Sequence, residues 1–423
     1  MTVTIWILIG GLGLVLTGIG LLGTLLGVRA TLAGFNNLQI GLIMGGYYAG
    51  YVLGTLFAPR VVRNVGHIRS FAAFAALGAA STLGFGLWVD PLAWLPMRIL
   101  GGACVVGLYM VVESWLNEQS AGAARGRIFA SYMTSTLLAL AAGQFLLLAD
   151  DPGGLVLFAY AAVLIVIGLV PIAVTRVTEP RIELSRPVGL RRLLSISPLG
   201  SIGVFTAGVV NGAFWGMAPV FGLRLEMDET QIATLMSATI LGGAALQWPI
   251  GHLSDRHDRR TVLILVSLAG ATVAATAAVI VDQGRAGLVL VAIAYGGLMF
   301  SLYGLSVAHA NDHLEPGEVL EATRGLLLLY GVGALFGPVL GGAAMAAVGP
   351  VGLPGGSAAV LVLLCLFGLY RMTRRSSPPI EEQSDYVTMV RTSPVVLEMH
   401  PEADPAPELD LAASPESRGP TQP

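Results

Sequence analysis

The chain has 423 residues, of which 55% are hydrophobic and only 12% are charged, and its mean hydropathy is +0.76. A soluble domain has about 25% charged residues, so this composition excludes an ordinary soluble protein. All 23 residues counted as Lys or Arg are Arg, which excludes a Walker-type nucleotide-binding loop, because that loop places a Lys on the phosphates.

Apolar stretches follow one another from residue 4 to residue 372, and each is long enough to cross a hydrocarbon core of about 30 Å. The sequence predicts spans at 4–28, 38–58, 67–89, 91–116, 127–149, 154–175, 199–223, 230–250, 261–281, 286–311, 319–346 and 351–372. The first span lacks a preceding basic segment, which favours a true span over a cleaved signal peptide. We therefore predict an all-α membrane protein with about twelve transmembrane helices.

Arginines are concentrated in the connections on one side of these spans. That side carries Arg60, Arg63, Arg69, Arg125, Arg127, Arg176, Arg181, Arg186, Arg191, Arg192, Arg256, Arg259, Arg260, Arg324, Arg371, Arg374 and Arg375. The other side carries Arg29, Arg224 and Arg285 among several acidic residues. Since basic loops stay in the cytoplasm, the sequence predicts a multi-pass protein of the cell (inner) membrane with both termini cytoplasmic.

The longest internal connection, residues 176–198, is polar and contains three prolines. It divides the chain into six spans in residues 1–175 and six in residues 199–372, which we expect to be two bundles joined by a cytoplasmic linker. The tail, residues 373–423, is rich in Pro, Glu, Asp and Ser, a composition typical of a disordered segment.

The two halves repeat each other. Leu38-Gln39-Ile40 corresponds to Thr230-Gln231-Ile232 at an offset of 192, and Leu108-Tyr109 corresponds to Leu302-Tyr303 at 194. Two pseudo-symmetric six-helix bundles related by duplication place a cavity at their interface, which is the basis of alternating-access transport.

The stretch GHLSDRHDRR, residues 251–260, separates two apolar spans and carries five formal charges. It is predicted to be a tight cytoplasmic loop. Gly251 would allow close backbone approach, Asp255 would cap a helix or pair with a cation, and the arginines would hold the loop in the cytoplasm.

These features together resemble the major facilitator superfamily, and more closely its YcaD-like subfamily. The resemblance rests on VVESWL (111–116), ARGRIFASYM (124–133), LQWPIGHLSDR (246–256) and YGVGALFGP (330–338), and it covers residues 5–372 but not the tail. It implies the major facilitator fold and a secondary transporter, without a substrate. The chain also departs from the family's usual pattern, and the position of its Gly-Pro pair weakens an inference of proton/drug antiport. Asp258 and Arg63 replace a usual Gly and a usual acid, and the Gly-Pro pair lies at 337–338 rather than in the fifth span.

Arg98 begins RILGGA (98–103), which resembles the superfamily's Arg motif in the fourth span. A cation at membrane depth is costly unless it faces water or a partner, so Arg98 is expected to serve proton coupling or anion binding. The alternative is a structural Arg that bonds carbonyls or extends to the interface. Glu113, the one acid clearly inside a span, is either a proton site or a cytoplasmic partner of Arg60, Arg63 or Arg127.

Other polar and aromatic residues within the spans are expected to include some that line the cavity. The candidates are Arg29, Tyr47, Tyr48, Tyr109, Gln144, Asn211, Trp215, Gln247 and Tyr330. Glycines at a spacing of four, at 46, 50 and 54 and again at 333, 337 and 341, are predicted to form a sliding contact between the two halves.

A cytoplasmic gate is expected at the inner ends of the spans. Its members are Gly251, Asp255, Arg256, Arg259, Arg260, Arg324 and, from the matching first-half connection, Arg63. We expect Asp255 to pair with Arg324 when this side closes; the alternative is that Asp255 caps its helix or pairs with Arg259.

The function expected is secondary active transport of a small solute, coupled to protons, by a monomer in the lipid bilayer. A non-transporting sensor and an uncoupled facilitator are the alternatives. No enzyme activity, cofactor, nucleic-acid partner or metal is predicted, because His309 and His313 lack further His or Cys ligands and Cys104 and Cys365 lie in apolar spans.

Overall fold

The computed structural model describes residues 3–119, 125–174, 188–281, 285–314 and 318–374, together with Gln383, Tyr386 and Ser393. All regular structure in these residues is helical, which confirms the predicted all-α membrane class. Part of the predicted linker and most of the tail lie outside the described residues, so the disorder expected for 373–423 stays a prediction.

Thirteen α-helices are described, twelve of them long. They are α1 (Val3–Leu32), α2 (Asn37–Val65), α3 (His67–Leu87), α4 (Pro91–Glu118), α5 (Arg125–Phe145), α6 (Val156–Val174), α7 (Leu190–Ile196), α8 (Pro198–Arg224), α9 (Glu229–Arg256), α10 (Arg259–Ile280), α11 (Arg285–Asn311), α12 (Val319–Val348) and α13 (Gly352–Met372). A 3-10 turn, Leu146–Ala149, extends α5.

Eleven of these helices are long and apolar enough to cross a membrane. The twelfth long helix, α9, has 28 residues but carries Glu229, His252, Asp255 and Arg256 near its ends. The short helix α7 lies within the predicted linker, and the Val188 N–H next to it donates to the carbonyl of Glu321, 3.1 Å away. The described end of the linker, from residue 188, is thus held against the start of α12.

The internal repeat is visible in the way helices cross. In the first half, Gly50 of α2 lies against the carbonyl of Ile99, and Gly102 of α4 lies against the carbonyl of Tyr47. In the second half, Gly242 contacts the carbonyl of Ile293 in the same way. These two residues follow Gly50 and Ile99 by 192 and 194 positions, the offsets of the internal repeat. A Cβ at any of these glycines would overlap the facing backbone, so the two halves use the same backbone-to-backbone packing.

The starts of α2 and α9 also show that the two halves repeat each other. Asn36 accepts a hydrogen bond from the Gln39 N–H at 2.9 Å, and the Gln39 side chain accepts one from the Asn36 N–H at 3.0 Å. Asp228 and Gln231 repeat this pair of bonds at 2.9 and 3.1 Å. Each pair is a capping box, which satisfies backbone donors that the helix itself leaves free.

The predicted role of the glycine rows is wrong. Gly46, Gly50 and Gly54 face α4, and the row at 333 and 337 faces α8, so both rows pack helices within one half. The contact between halves is made instead by Gly41 and Gly45 of α2, which lie against the carbonyls of Pro338 and Leu335. Residues 41 and 46 are about 140° apart around a helix, so they serve different neighbours.

The predicted loop at 251–260 is also wrong in extent. Helix α9 continues to Arg256 and α10 begins at Arg259, so His257 and Asp258 alone connect them. The Asp258 side chain accepts a hydrogen bond from the Arg260 N–H at 3.0 Å and caps α10. This capping gives a structural reason for the acid that replaces the superfamily's usual Gly.

We predict that Gly50→Ala destabilises the protein by about 1–3 kcal/mol, because its Cβ would overlap the Ile99 carbonyl. Thermal unfolding of the detergent-solubilised protein measures the effect. The matched control is Gly10→Ala, whose Cβ would meet nothing within 4 Å. Equal stability of the two variants would show that the crossing is not tight.

Candidate functional site: a cavity between the two halves

A cavity of about 1050 Å³ lies between the two halves. Four helices of each half contribute side chains to its wall. The lining residues are Ile19, Gly20, Gly23, Met44, Tyr47, Tyr48, Tyr51, Arg98, Tyr109, Leu137, Leu140, Trp215, Gly216, Gln247, Phe300 and Tyr330.

Arg98 supplies the formal charge of this wall. It lies seven residues after the start of α4, about 10 Å along the helix axis. Its guanidinium carbon is 4.7 Å from the centroid of the Tyr47 ring, in a cation–π contact. Among the residues that the structure describes, no carboxylate pairs with Arg98, and its Nε is buried without a hydrogen-bond partner. The cation is therefore available to a ligand in the cavity.

Two further buried polar atoms on the lining residues lack partners in the described part of the chain. They are the hydroxyl oxygen of Tyr51, a residue 5% exposed, and Oε1 of Gln247, a residue 1% exposed. A buried polar group without a hydrogen bond costs roughly 1–3 kcal/mol. Such groups at a cavity wall indicate hydrogen bonds to water or to a ligand.

Aromatic rings form much of the rest of the wall. Trp215 and Phe300 lie with centroids 6.2 Å apart, and Tyr47 and Tyr48 lie 5.2 Å apart, both in edge arrangements. Tyr330 faces Tyr303 at 5.3 Å. Large, rigid rings of this kind offer apolar contact area to a flat ligand at little entropic cost.

Glu113 lies one helical turn beyond Tyr109, toward the end of the bundle where arginines are concentrated, which we call the Arg-rich end. It is fully buried and accepts a hydrogen bond from the Tyr132 hydroxyl of α5 at 2.5 Å. The Ser393 hydroxyl donates to its other oxygen. Arg60, Arg63 and Arg127, the alternative partners expected from the sequence, have exposed side chains.

The expected gate residues form an ion-pair network around Arg259, which is 1% exposed. Its NH1 lies 2.6 Å from Asp312 Oδ1, and its NH2 lies 3.1 Å from Asp255 Oδ1. The Nε donates to the Ser254 hydroxyl at 3.0 Å. Asp255 thus pairs with Arg259, which was the alternative in the sequence analysis, and pairing with Arg324 stays a prediction for a different state of the gate.

The remaining members of the predicted gate have different environments. Arg260 pairs with its neighbour Asp258 at 3.0 Å, whereas Arg256 and Arg63 are exposed. Gly251, within α9, lies against the ring of Tyr386. The network therefore joins the adjacent helices α9, α10 and α11 of the second half.

The structure brings together six of the cavity candidates with Arg98. These six are Tyr47, Tyr48, Tyr109, Trp215, Gln247 and Tyr330. Arg29 is outside the described lining, near the end of α1. Gln144 and Asn211 are inside the helix packing: the Gln144 amide donates to the Gly20 carbonyl at 3.1 Å, and the Asn211 amide donates to that of Ala207 at 2.8 Å.

Tyr51 and Phe300 are lining residues that sequence reasoning did not select. A signal existed for Tyr51, because it follows Tyr47 by four residues and so shares its helix face. Phe300 offered no such signal, since a Phe in an apolar span is usually a packing residue. In the described residues, no group of three or more His, Cys, Asp or Glu is placed to hold a metal ion. The rings of His309 and His313 contact each other edge to face at 4.9 Å.

Comparison with known proteins supports the resemblance found in the sequence. Residues 200–403 match the family model of the Major Facilitator Superfamily, which extends the resemblance into the tail and corrects the limit of 372. The uncharacterised MFS-type transporter YcaD of Salmonella enteritidis PT4 is 28% identical over 309 residues, covering 71% of this chain and 78% of the relative.

Two solved structures share the fold. A mutant of the nucleoside transporter NupG superposes with a TM-score of 0.72 at 13% identity, over 87% of this chain and 98% of that one. A bacterial homologue of the human lysosomal transporter Spinster, in an inward-facing and unoccupied conformation, superposes with a TM-score of 0.63 at 14% identity. The superposition covers 94% of this chain and 98% of that one. The twelve long helices, the duplicated halves and these likenesses agree: the chain has the fold of the major facilitator superfamily of membrane transporters and is similar to its YcaD-like members.

Proposed function

We propose that the protein is a proton-coupled secondary transporter that carries a small solute by alternating access. The observation that carries this proposal is the cavity of about 1050 Å³, enclosed by four helices from each of two pseudo-symmetric halves. A site at such an interface can be exposed to either side of the membrane in turn when the halves rock against each other.

The packing between the halves supports this motion. On the side away from the Arg-rich end, Gly41 contacts the carbonyl of Pro338, and Gly342 contacts that of Asn37. Within each half, the crossings at Gly50 and Gly242 hold the helices together. Each half can therefore move as a unit, and the contacts between halves are the ones that change.

Arg98 and Glu113 have different roles at different positions along α4. Arg98 faces the cavity and would bind the solute, whereas Glu113 lies 15 residues further, about 22 Å along the axis. Glu113 can accept hydrogen bonds as an anion or donate one as a neutral acid, so proton binding there would change its bonds to Tyr132. That change would occur at the contact of α4 with α5, close to the Arg-rich end.

The network of Arg259, Asp255 and Asp312 would then act as a brace of the gate rather than as a proton site. It ties three helices of the second half, and removal of one partner from a buried ion pair costs about 3–5 kcal/mol. By the distribution of arginines we place this gate on the cytoplasmic side of an inner membrane, with a single chain as the working unit.

We predict that Glu113→Gln abolishes net solute flux driven by a pH gradient while solute exchange continues. Gln keeps the size of the side chain but cannot bind or release a proton. The measurement uses proteoliposomes and a radiolabelled solute identified first by its stabilisation of the purified protein against heat.

Glu118→Gln, on the same helix but exposed, is the matched control and should retain both activities. Equal loss of exchange and net flux in Glu113→Gln would assign the residue a bracing role. Unchanged pH-driven flux in Glu113→Gln would reject both roles for this residue. Solute flux that a pH gradient does not drive in the unaltered protein would indicate an uncoupled facilitator, and no flux would favour a sensor.

A further inference from the structure

The chemistry of the cavity wall narrows the kind of solute. Among the described lining residues, Arg98 is the one with a formal charge. A cation at this depth is stabilised by an anionic partner, and within the described residues none is supplied by the protein. A ligand with one negative charge would provide it.

The buried polar atoms without partners in the described residues indicate which groups the ligand carries. The Nε–H of Arg98 is a donor and the Tyr51 hydroxyl can donate, so these two groups suit the oxygens of a carboxylate. Oε1 of Gln247 is an acceptor on a helix of the opposite half, so it suits an O–H or N–H group. A ligand that satisfies all three atoms has an anionic group and a separate donor.

The aromatic rings of the cavity wall indicate the shape and polarity of the rest of the ligand. Tyr47, Trp215, Phe300 and Tyr330 present rings to the cavity, and Leu137 and Leu140 add aliphatic surface. A flat, apolar body would bury its faces against these rings, as ring pairs favour offset or edge contacts.

We propose that the cavity binds an aromatic monocarboxylate that carries a hydroxyl or amino group on its ring, an assignment that rests on the proposed transport function. Arg98 and Tyr51 hold the carboxylate, the rings enclose the body, and Gln247 accepts the hydrogen bond of the ring substituent. Because the ligand contacts both halves, its binding also favours their approach.

The test measures equilibrium binding of 4-hydroxybenzoate to the full-length protein in lipid nanodiscs by calorimetry. The neutral analogue 4-hydroxybenzamide, of nearly the same shape, should bind at least tenfold more weakly. Arg98→Gln should lower the affinity for 4-hydroxybenzoate to that of the amide, whereas Arg224→Gln, an exposed arginine at the end of α8, should leave it unchanged.

Equal binding of acid and amide, or no binding of the acid, would overturn the assignment. Binding requires no flux and no proton movement, so its failure differs from failure of the proposed function.

A second, independent observation concerns two residues of the C-terminal tail. The ring of Tyr386 fills a slot between Gly251 of α9 and Gly304 of α11, where a Cβ on either glycine would overlap the ring. The Tyr386 N–H also donates to Asp255 Oδ1 at 2.9 Å. Tyr386 is thus seated on the Arg-rich end of the second half.

Ser393 is seated on the first half. It is fully buried, and its hydroxyl donates to Glu113 Oε2. Ser393 follows Tyr386 by seven positions, and this length of chain can extend at most about 25 Å. Tyr386 and Ser393 therefore lie on different halves, at the end where the gate residues lie.

We infer that Tyr386 and Ser393 are autoinhibitory anchors that disfavour closure of the Arg-rich end. Closure would bring the ends of the two halves together where these two side chains now lie. The Ser393 contact also occupies the carboxylate that we assign to the proton, so release of Tyr386 and Ser393 frees both the gate and Glu113.

Docking is tested by thiol labelling of full-length protein in which Cys104→Ser and Cys365→Ser remove the native thiols. A cysteine at Ser393→Cys should react at least tenfold more slowly with a maleimide than one at Thr373→Cys, which is exposed. Tyr386→Ala should accelerate labelling at 393, whereas Tyr370→Ala, an exposed tyrosine of α13, should not.

Gating is tested by the distance between spin labels at Arg69→Cys and His257→Cys, exposed positions at the Arg-rich ends of the two halves. Tyr386→Ala should add a population with a shorter distance. Equal labelling rates at 393 and 373 would overturn docking. Slow labelling at 393 with unchanged distances in Tyr386→Ala would overturn the inhibitory role.

Discussion

Close backbone contact at glycines is the constraint on which this architecture depends. In a bilayer, helices gain little from excluding water, and they associate through packing and hydrogen bonds. Gly50 and Gly102 bring α2 and α4 together at backbone contact, and Gly242 repeats the arrangement in α9 and α11. These crossings make each half a unit, and the space left between two such units is the cavity.

The cavity concentrates the polar chemistry of an otherwise apolar molecule. Arg98 lies over the Tyr47 ring, and polar atoms of Tyr51 and Gln247 face the same space without partners in the described residues. Glu113 lies beyond it toward the Arg-rich end, in contact with Tyr132 and with Ser393 of the tail. In the proposed mechanism, solute binding, protonation and gating have separate places along one path, and α4 connects the first two.

The sequence predicted the spans and the duplication because apolar length and repeated residues are local signals. The sequence could not show which face of each helix packs against which neighbour. The rows at Gly46 and Gly333 look like an interface between halves, yet neighbours in the same half occupy them. Gln144 looked like a cavity residue, but the carbonyls of Gly20 and Leu140 satisfy its amide. The charged stretch at 251–260 read as a loop, whereas Arg259, Asp255 and Asp312 neutralise one another and let the helices continue. To avoid these errors, one would have to know which residues, distant in sequence, pack against each segment.

Thiol accessibility from the two sides of the membrane tests the central claim most directly. Gly23 lines the cavity and has open space for a side chain, as does Gly10, which is exposed on the outer surface of the bundle. In protein without Cys104 and Cys365, a membrane-impermeant thiol reagent should modify Gly23→Cys from either side of oriented vesicles and Gly10→Cys from neither. Modification of Gly23→Cys from one side alone, under every condition of pH and solute, would contradict a cavity that opens alternately to the two sides.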